Sequence, residues 1–158
     1  MTPNCTHCGK PARLTDGTEV YPHRPDLSGL RFWVCDPCEA RVGCHKEGAR
    51  TGNGTSDGTM PLGTPANAEL RRARMILHND RLDPIWKAAA SRKERYNLRR
   101  ECYRLLSGRM GISAAQTHTA LFTLDQCRDA WRALEGVTTE NVRDLAAESG
   151  GKLERTFA

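Results

Sequence analysis

Four cysteines set in two Cys-x2-Cys pairs, Cys5-Thr-His-Cys8 and Cys35-Asp-Pro-Cys38, are the residues here whose type and spacing define a chemistry. A two-residue gap lets both thiolates of one tight turn point at a single cation. Four thiolates at about 2.3 Å from Zn²⁺ close a tetrahedron with no open position, which describes a structural zinc site and not a catalytic one. Gly9, directly after the first pair, suits the turn that closes such a knuckle. The 26 residues between the pairs exceed the usual ~15–20, so they must hold a hairpin or a longer loop. Cys44-His45 is a competing donor pair that could replace one thiolate or stand behind it. His7, inside the first knuckle, would strain to reach the same ion and is expected to face solvent.

The second chemistry is electrostatic. The chain carries a net charge of +5, and residues 64–110 hold twelve Lys/Arg against five Asp/Glu. The surplus therefore sits in one segment. Arg71, Arg72 and Arg74 form one cluster; Arg92, Lys93, Arg95, Arg99, Arg100 and Arg104 form another. Arg92, Arg95 and Arg99 recur at steps of three and four, the spacing of one helix face. Such a stripe is a candidate footprint for nucleic acid, read mainly through phosphates and so with weak sequence preference. The alternative is an ordinary solvated helix face.

Around the cysteines, Glu19–His23 and Leu30–Val34 are expected as two short strands flanking a turn with Pro25 and Gly29. Strand, turn and strand running into the second knuckle describe a zinc ribbon over residues 1–45. Residues 46–63, rich in glycine and without apolar period, are expected as a flexible loop. They lack the strand and the Gly-Lys-Ser/Thr of a phosphate loop. A basic helical domain follows over 64–149, and 150–158 are expected to be loose. Thr64-Pro65 is the expected start of its first helix, with Asp83-Pro84 interrupting. Ser91-x-x-Glu94, Ser113-x-x-Gln116 and Thr123-x-x-Gln126 are capping boxes, and Gly108 is the expected stop of the helix after Ser91. Two capped segments between Gly111 and Leu134 would permit a helix-turn-helix. The fold class is α+β, mainly α: a zinc ribbon followed by a bundle of four or five helices.

Composition bounds these readings. Apolar residues make up 38% of 158 and aromatics 6%, so each core is small and a metal would support the N-terminal part. No apolar run has membrane-spanning length, and the first residues lack a signal-peptide pattern, which together imply a cytoplasmic protein. In a reducing compartment paired Cys-x2-Cys reads as metal, and an odd total of seven cysteines agrees. Cys102 and Cys127 fall on apolar helix stripes and are expected as buried thiols.

The arrangement Cys5-x2-Cys8, Tyr21, Phe32-Trp-Val-Cys35-x2-Cys38 and Val42-Gly-Cys-His45 resembles a small zinc-finger-containing family found in phages and prophages. Pro61-Leu-Gly-Thr-Pro-Ala-Asn-Ala-Glu-Leu-Arg71 and Arg81-Leu-Asp-Pro-Ile-Trp86 continue the likeness, which covers most of residues 5–134. The glycine-rich stretch 47–59 departs from it as an insertion would. The resemblance implies zinc binding and a viral or prophage setting inside a bacterial host cell.

The combined expectation is a zinc-stabilised accessory protein, not an enzyme, with one structural Zn²⁺ and nucleic acid (DNA or RNA) as partner. No catalytic residue is assigned. The alternative is a protein–protein adaptor or host-enzyme inhibitor, docking through Tyr21 and Trp33 of the ribbon. A ββα metal-dependent nuclease is disfavoured, because His45, Asn67 and His78-Asn79 lack its spacing.

Overall fold

Strand formation in the N-terminal part follows from one strongly apolar segment. Phe32, Trp33, Val34 and Cys35 are all buried, so β2 (Arg31–Cys35) has to be covered on both faces. It pairs antiparallel with β1 (Arg13–Asp16) on one edge and β3 (Ala40–Gly43) on the other, giving the order β1-β2-β3. A computed structural model describes residues 1–151 of the chain. The chain divides into two compact units, one of Met1–Arg71 and one beginning at Arg72.

The strand expected at Leu30–Val34 is present as β2, shifted one residue along the chain. The strand expected at Glu19–His23 is absent: Asp16 accepts the N–H groups of Thr18 and Glu19 and so caps a one-turn helix, α1 (Gly17–Val20). Its strand partner is instead the earlier segment β1. The glycine-rich stretch also carries more structure than its composition suggests. It forms a two-stranded hairpin, β4 (Arg50–Thr51) and β5 (Gly54–Thr55), and then returns to the sheet. Trp33 Nε1 donates to Thr59 O at 2.7 Å, while Cys44 and Arg41 make bridges to Pro61 and Ala66. The first unit consequently runs past residue 63.

The same return pairing moves the start of the next helix. Arg41 and Ala66 exchange both backbone hydrogen bonds at 3.0 Å, which keeps Thr64–Ala66 out of helical conformation. Asn67, not Thr64, is the cap: its Oδ1 accepts Leu70 N–H, and α2 (Ala68–Leu77) begins there. Asp83-Pro84 does not stop the chain's helical path either. A π-helical segment, His78–Leu82, leads straight into α3 (Asp83–Trp86), whose first turn tolerates the proline because its missing N–H needs no partner there.

In the second unit Ser91 caps α4 (Arg92–Met110), its hydroxyl accepting Glu94 N–H. Leu98, Cys102, Leu105 and Leu106 form the apolar side of α4 and are fully buried with Phe122, Ala130, Val142 and Ala146. Gly108 does not end α4. It lies where the backbone and hydroxyl of Ser149 fill the space a Cβ would need, and Gly111 closes the helix in left-handed conformation. Thr123 opens α5 (Leu124–Ala133), and α6 (Val142–Glu148) packs on α4. The Ser113 capping box opens only a 3₁₀ turn, Ala114–Gln116, so residues 111–134 contain one helix and no helix-turn-helix. Among the described residues, no helix is long and apolar enough to cross a membrane. From Lys152 onward, the tail expected to be loose lies outside the described residues.

Candidate zinc centre and basic helix face

The two knuckles converge because β2 delivers Cys35 and β1 carries the brace that holds them. Arg13 on β1 donates from Nε and Nη2 to both carboxylate oxygens of Asp36, at 2.7 and 2.8 Å. Asp36 lies between Cys35 and Cys38, so the fork ties the second knuckle to the strand. In the first knuckle Gly9 N–H returns to Cys5 O at 2.9 Å, and His7 N–H points at Cys5 Sγ at 3.4 Å.

The four sulfur atoms of Cys5, Cys8, Cys35 and Cys38 lie within 4.8 Å of one another, and all four cysteines are free thiols. Cys8 Sγ and Cys35 Sγ are 3.6 Å apart. A tetrahedron with ~2.3 Å Zn–S bonds has edges of about 3.8 Å, whereas a disulfide needs ~2.05 Å. The spacing fits a shared cation. Acidities agree with that. The Lys10 backbone holds the Cys8 thiol down to about 7, while hydrogen bonding to Cys8, burial, and the sulfurs of Cys35 and Cys5 push Cys38 up to about 12. Burial likewise raises Cys35. One thiolate resists the next without a compensating charge, and a divalent cation supplies that charge. Cys5, Cys35 and Ala40, with Cys38 against them, form the small buried cluster at this end of the unit. The cysteines are thus placed to hold one structural Zn²⁺, and they leave no position for substrate.

Cys44 stands outside the cluster, its thiol raised by burial. His7 is exposed as expected, but its Nε2 accepts Asn67 N–H at 3.1 Å, so the first knuckle touches the start of α2. The ribbon's aromatics are engaged internally. Trp33 is buried. Tyr21 lies edge-on to Phe32 and takes the Arg41 guanidinium both over its ring, at 4.8 Å, and on its hydroxyl, at 3.1 Å.

The nine cations singled out in the sequence divide into two groups. Arg71 donates to Ala66 O at 2.6 Å, and Arg74 donates twice to Phe122 O at 3.0 and 2.8 Å, its charge disfavoured by burial. Arg104 donates to Gly151 O and pairs with Glu101. These three serve the fold. Arg99 lies over Trp86 and Tyr103, at 5.9 and 5.7 Å, with its own surface exposed. Arg100 lies over Tyr96 at 5.6 Å. Arg72, Arg92, Lys93 and Arg95 are exposed, and among the described residues no acidic group pairs with them. The acid nearest in sequence, Glu94, is taken by Arg143 at 2.5 Å.

Tyr96 went unnoticed among the arginines. It is a large aromatic with 43% of its surface exposed, and its position four residues after Arg92 and three before Arg99 was the available signal. Cys102 and Cys127 are buried, and burial pushes the Cys102 thiol up to about 12, the behaviour of an inert core thiol.

The model of a zinc-finger-containing domain family matches residues 1–137 of the chain. No curated protein and no solved structure matches it.

Proposed function

Because the chain belongs to the zinc-finger-containing domain family, with one closed Cys₄ site as its scaffold, we propose that it is a non-enzymatic nucleic-acid-binding accessory protein. The observation that carries this reading is the start of α4, where Arg92, Lys93 and Arg95 stand exposed and the one acid between them, Glu94, is paired with Arg143. Exposed cations clustered on one helix attract phosphates, and they do so with little regard to base sequence. The segment around them is the source of the chain's excess positive charge. Zinc on this reading shapes the N-terminal unit and takes no part in contact.

The proposed setting is a phage or prophage protein acting in the bacterial cytoplasm. Its support is the sequence resemblance and the four thiolate ligands, which persist best in a reducing compartment. Retention on immobilised DNA and RNA at low ionic strength tests the binding, and it should decline steeply between 50 and 200 mM salt. Replacing Arg92, Lys93 and Arg95 together by alanine should release the protein while leaving zinc content unchanged. Equal retention of that variant and the parent would end the proposal.

A further inference from the structure

We propose that the outer face of α4 takes single-stranded nucleic acid in preference to duplex, stacking a base on Tyr96. This rests on the nucleic-acid reading above and narrows it to one class of ligand. Arg92, Tyr96, Arg99 and Tyr103 recur at steps of four, three and four, so they share one side of α4, with Arg95 at its edge and buried Leu98 and Leu105 turned away from it.

Two kinds of group alternate on that side. Arg92 and Arg95 are exposed cations that pair with no acid among the described residues. Tyr96 offers an exposed ring with the Arg100 guanidinium 5.6 Å from its centre. Tyr103 is half-buried and stacks on Trp86, ring centres 6.5 Å apart and planes inclined by 29°, with Arg99 over both rings. Seven residues of helix separate Tyr96 from Tyr103, about 10 Å along the axis.

A phosphate-only surface has no use for an aromatic in its middle. In a duplex the faces of the bases are covered by their neighbours, so an exposed tyrosine gains little from it. A single strand exposes those faces, and stacking on an aromatic tolerates every base. The neighbouring acids do not oppose it: Glu94 is paired with Arg143 and Glu101 with Arg104. Cations for the backbone and a ring for the bases therefore occur in one stripe, which is the combination a single strand requires and a duplex does not.

Fluorescence anisotropy of the full chain provides the test, with labelled oligothymidylate, oligouridylate and a mixed-sequence duplex of equal length in low salt. Either single strand should bind at least ~10-fold more tightly than the duplex. Tyr96→Ala should weaken single-strand binding by about tenfold and leave duplex binding and the salt slope as they were, whereas Tyr96→Phe should retain the parent affinity. Unchanged helical circular dichroism would show that Tyr96→Ala folds. Equal affinity for single strand and duplex, or an indifferent Tyr96→Ala, overturns the single-strand proposal and leaves general nucleic-acid binding standing. Absence of binding to all three ligands overturns the parent reading, and this one with it.

Discussion

The two units use the same side chains for opposite ends, and their cysteines make the contrast plain. In the first unit four thiols crowd together, and their acidities are driven apart by one another and by the backbone. In the second, Cys102 and Cys127 lie singly in the buried core, where burial raises both, helped at Cys102 by the charge of Glu101. A crowded set needs a cation to become stable; a solitary buried thiol is already satisfied as a small apolar group. Arginine divides in the same way within the helical unit, Arg74 half-buried on a carbonyl and Arg95 open to solvent. Residue type thus says little until the surroundings are known, and each contrast can be broken by experiment.

Metal removal should have the largest effect and should fall on one unit. Structural zinc contributes an apparent ~10–16 kcal/mol of binding free energy in small modules at pH 7. A chelator, or Cys35→Ser, should therefore abolish amide protection in β1–β3 while the helical circular dichroism of α4–α6 largely persists. Loss of both signals together would show that the helical unit also depends on the metal. Acidification should act as the chelator does. Zinc expels protons from its thiolates, so the metal-bound fold holds fewer protons than the unfolded, metal-free chain. Its stability rises with pH through the thiol range and is lost as pH falls. Release of zinc to a chromogenic chelator along a pH titration measures this directly.

Leu98→Ala probes the other side of the contrast. Leu98 is fully buried on α4, and its truncation should cost about 2–5 kcal/mol. Thermal melting followed by helical circular dichroism should shift downward, with one zinc per chain still bound. Loss of the zinc in this variant would contradict independent support of the two units.

How much of this was legible beforehand depended on how local each cause is. The zinc ligands were readable because a two-residue gap is a property of one turn. The capped start of α4 at Ser91 and of α5 at Thr123 was readable for the same reason. Misreadings arose where a distant strand decided the outcome. Thr64-Pro65 has the form of a helix start, yet Ala66 pairs with Arg41 and stays extended. Glu19–His23 has strand composition, but β1 occupies that edge of the sheet and Asp16 caps a turn instead. Arg74, half-buried on the Phe122 carbonyl, and exposed Arg95 are indistinguishable as letters in a basic run. Only burial separates them, and burial is a sum over the whole unit.

That last pair gives a matched comparison of smaller size. Arg74→Met removes two hydrogen bonds to Phe122 O and should cost about 1–3 kcal/mol of stability, with salt-dependent retention on nucleic acid unchanged. Arg95→Ala should alter stability by less than ~0.5 kcal/mol and weaken retention. Urea melts and salt elution on the two variants settle it; the reverse pattern would reassign both residues.

The smallest effect expected lies within the zinc unit, between its two knuckles. Each is followed by a residue in left-handed conformation, Gly9 at φ +72 and Glu39 at φ +51. Glycine adopts that region freely, whereas a residue with a Cβ carries strain of about 1–2 kcal/mol. Glu39 is exposed, and its N–H donates to Asp36 O, a backbone bond that any residue can make. Glu39→Gly should therefore stabilise the zinc unit, by about 0.5–1 kcal/mol once the greater freedom of glycine in the unfolded chain is subtracted. Gly9→Ala should destabilise it by a similar amount. Competition with a chelator of known affinity resolves shifts of this size, and the two substitutions should move the zinc affinity in opposite directions. A shift in the same direction would mean that the conformation after each knuckle is not what limits it.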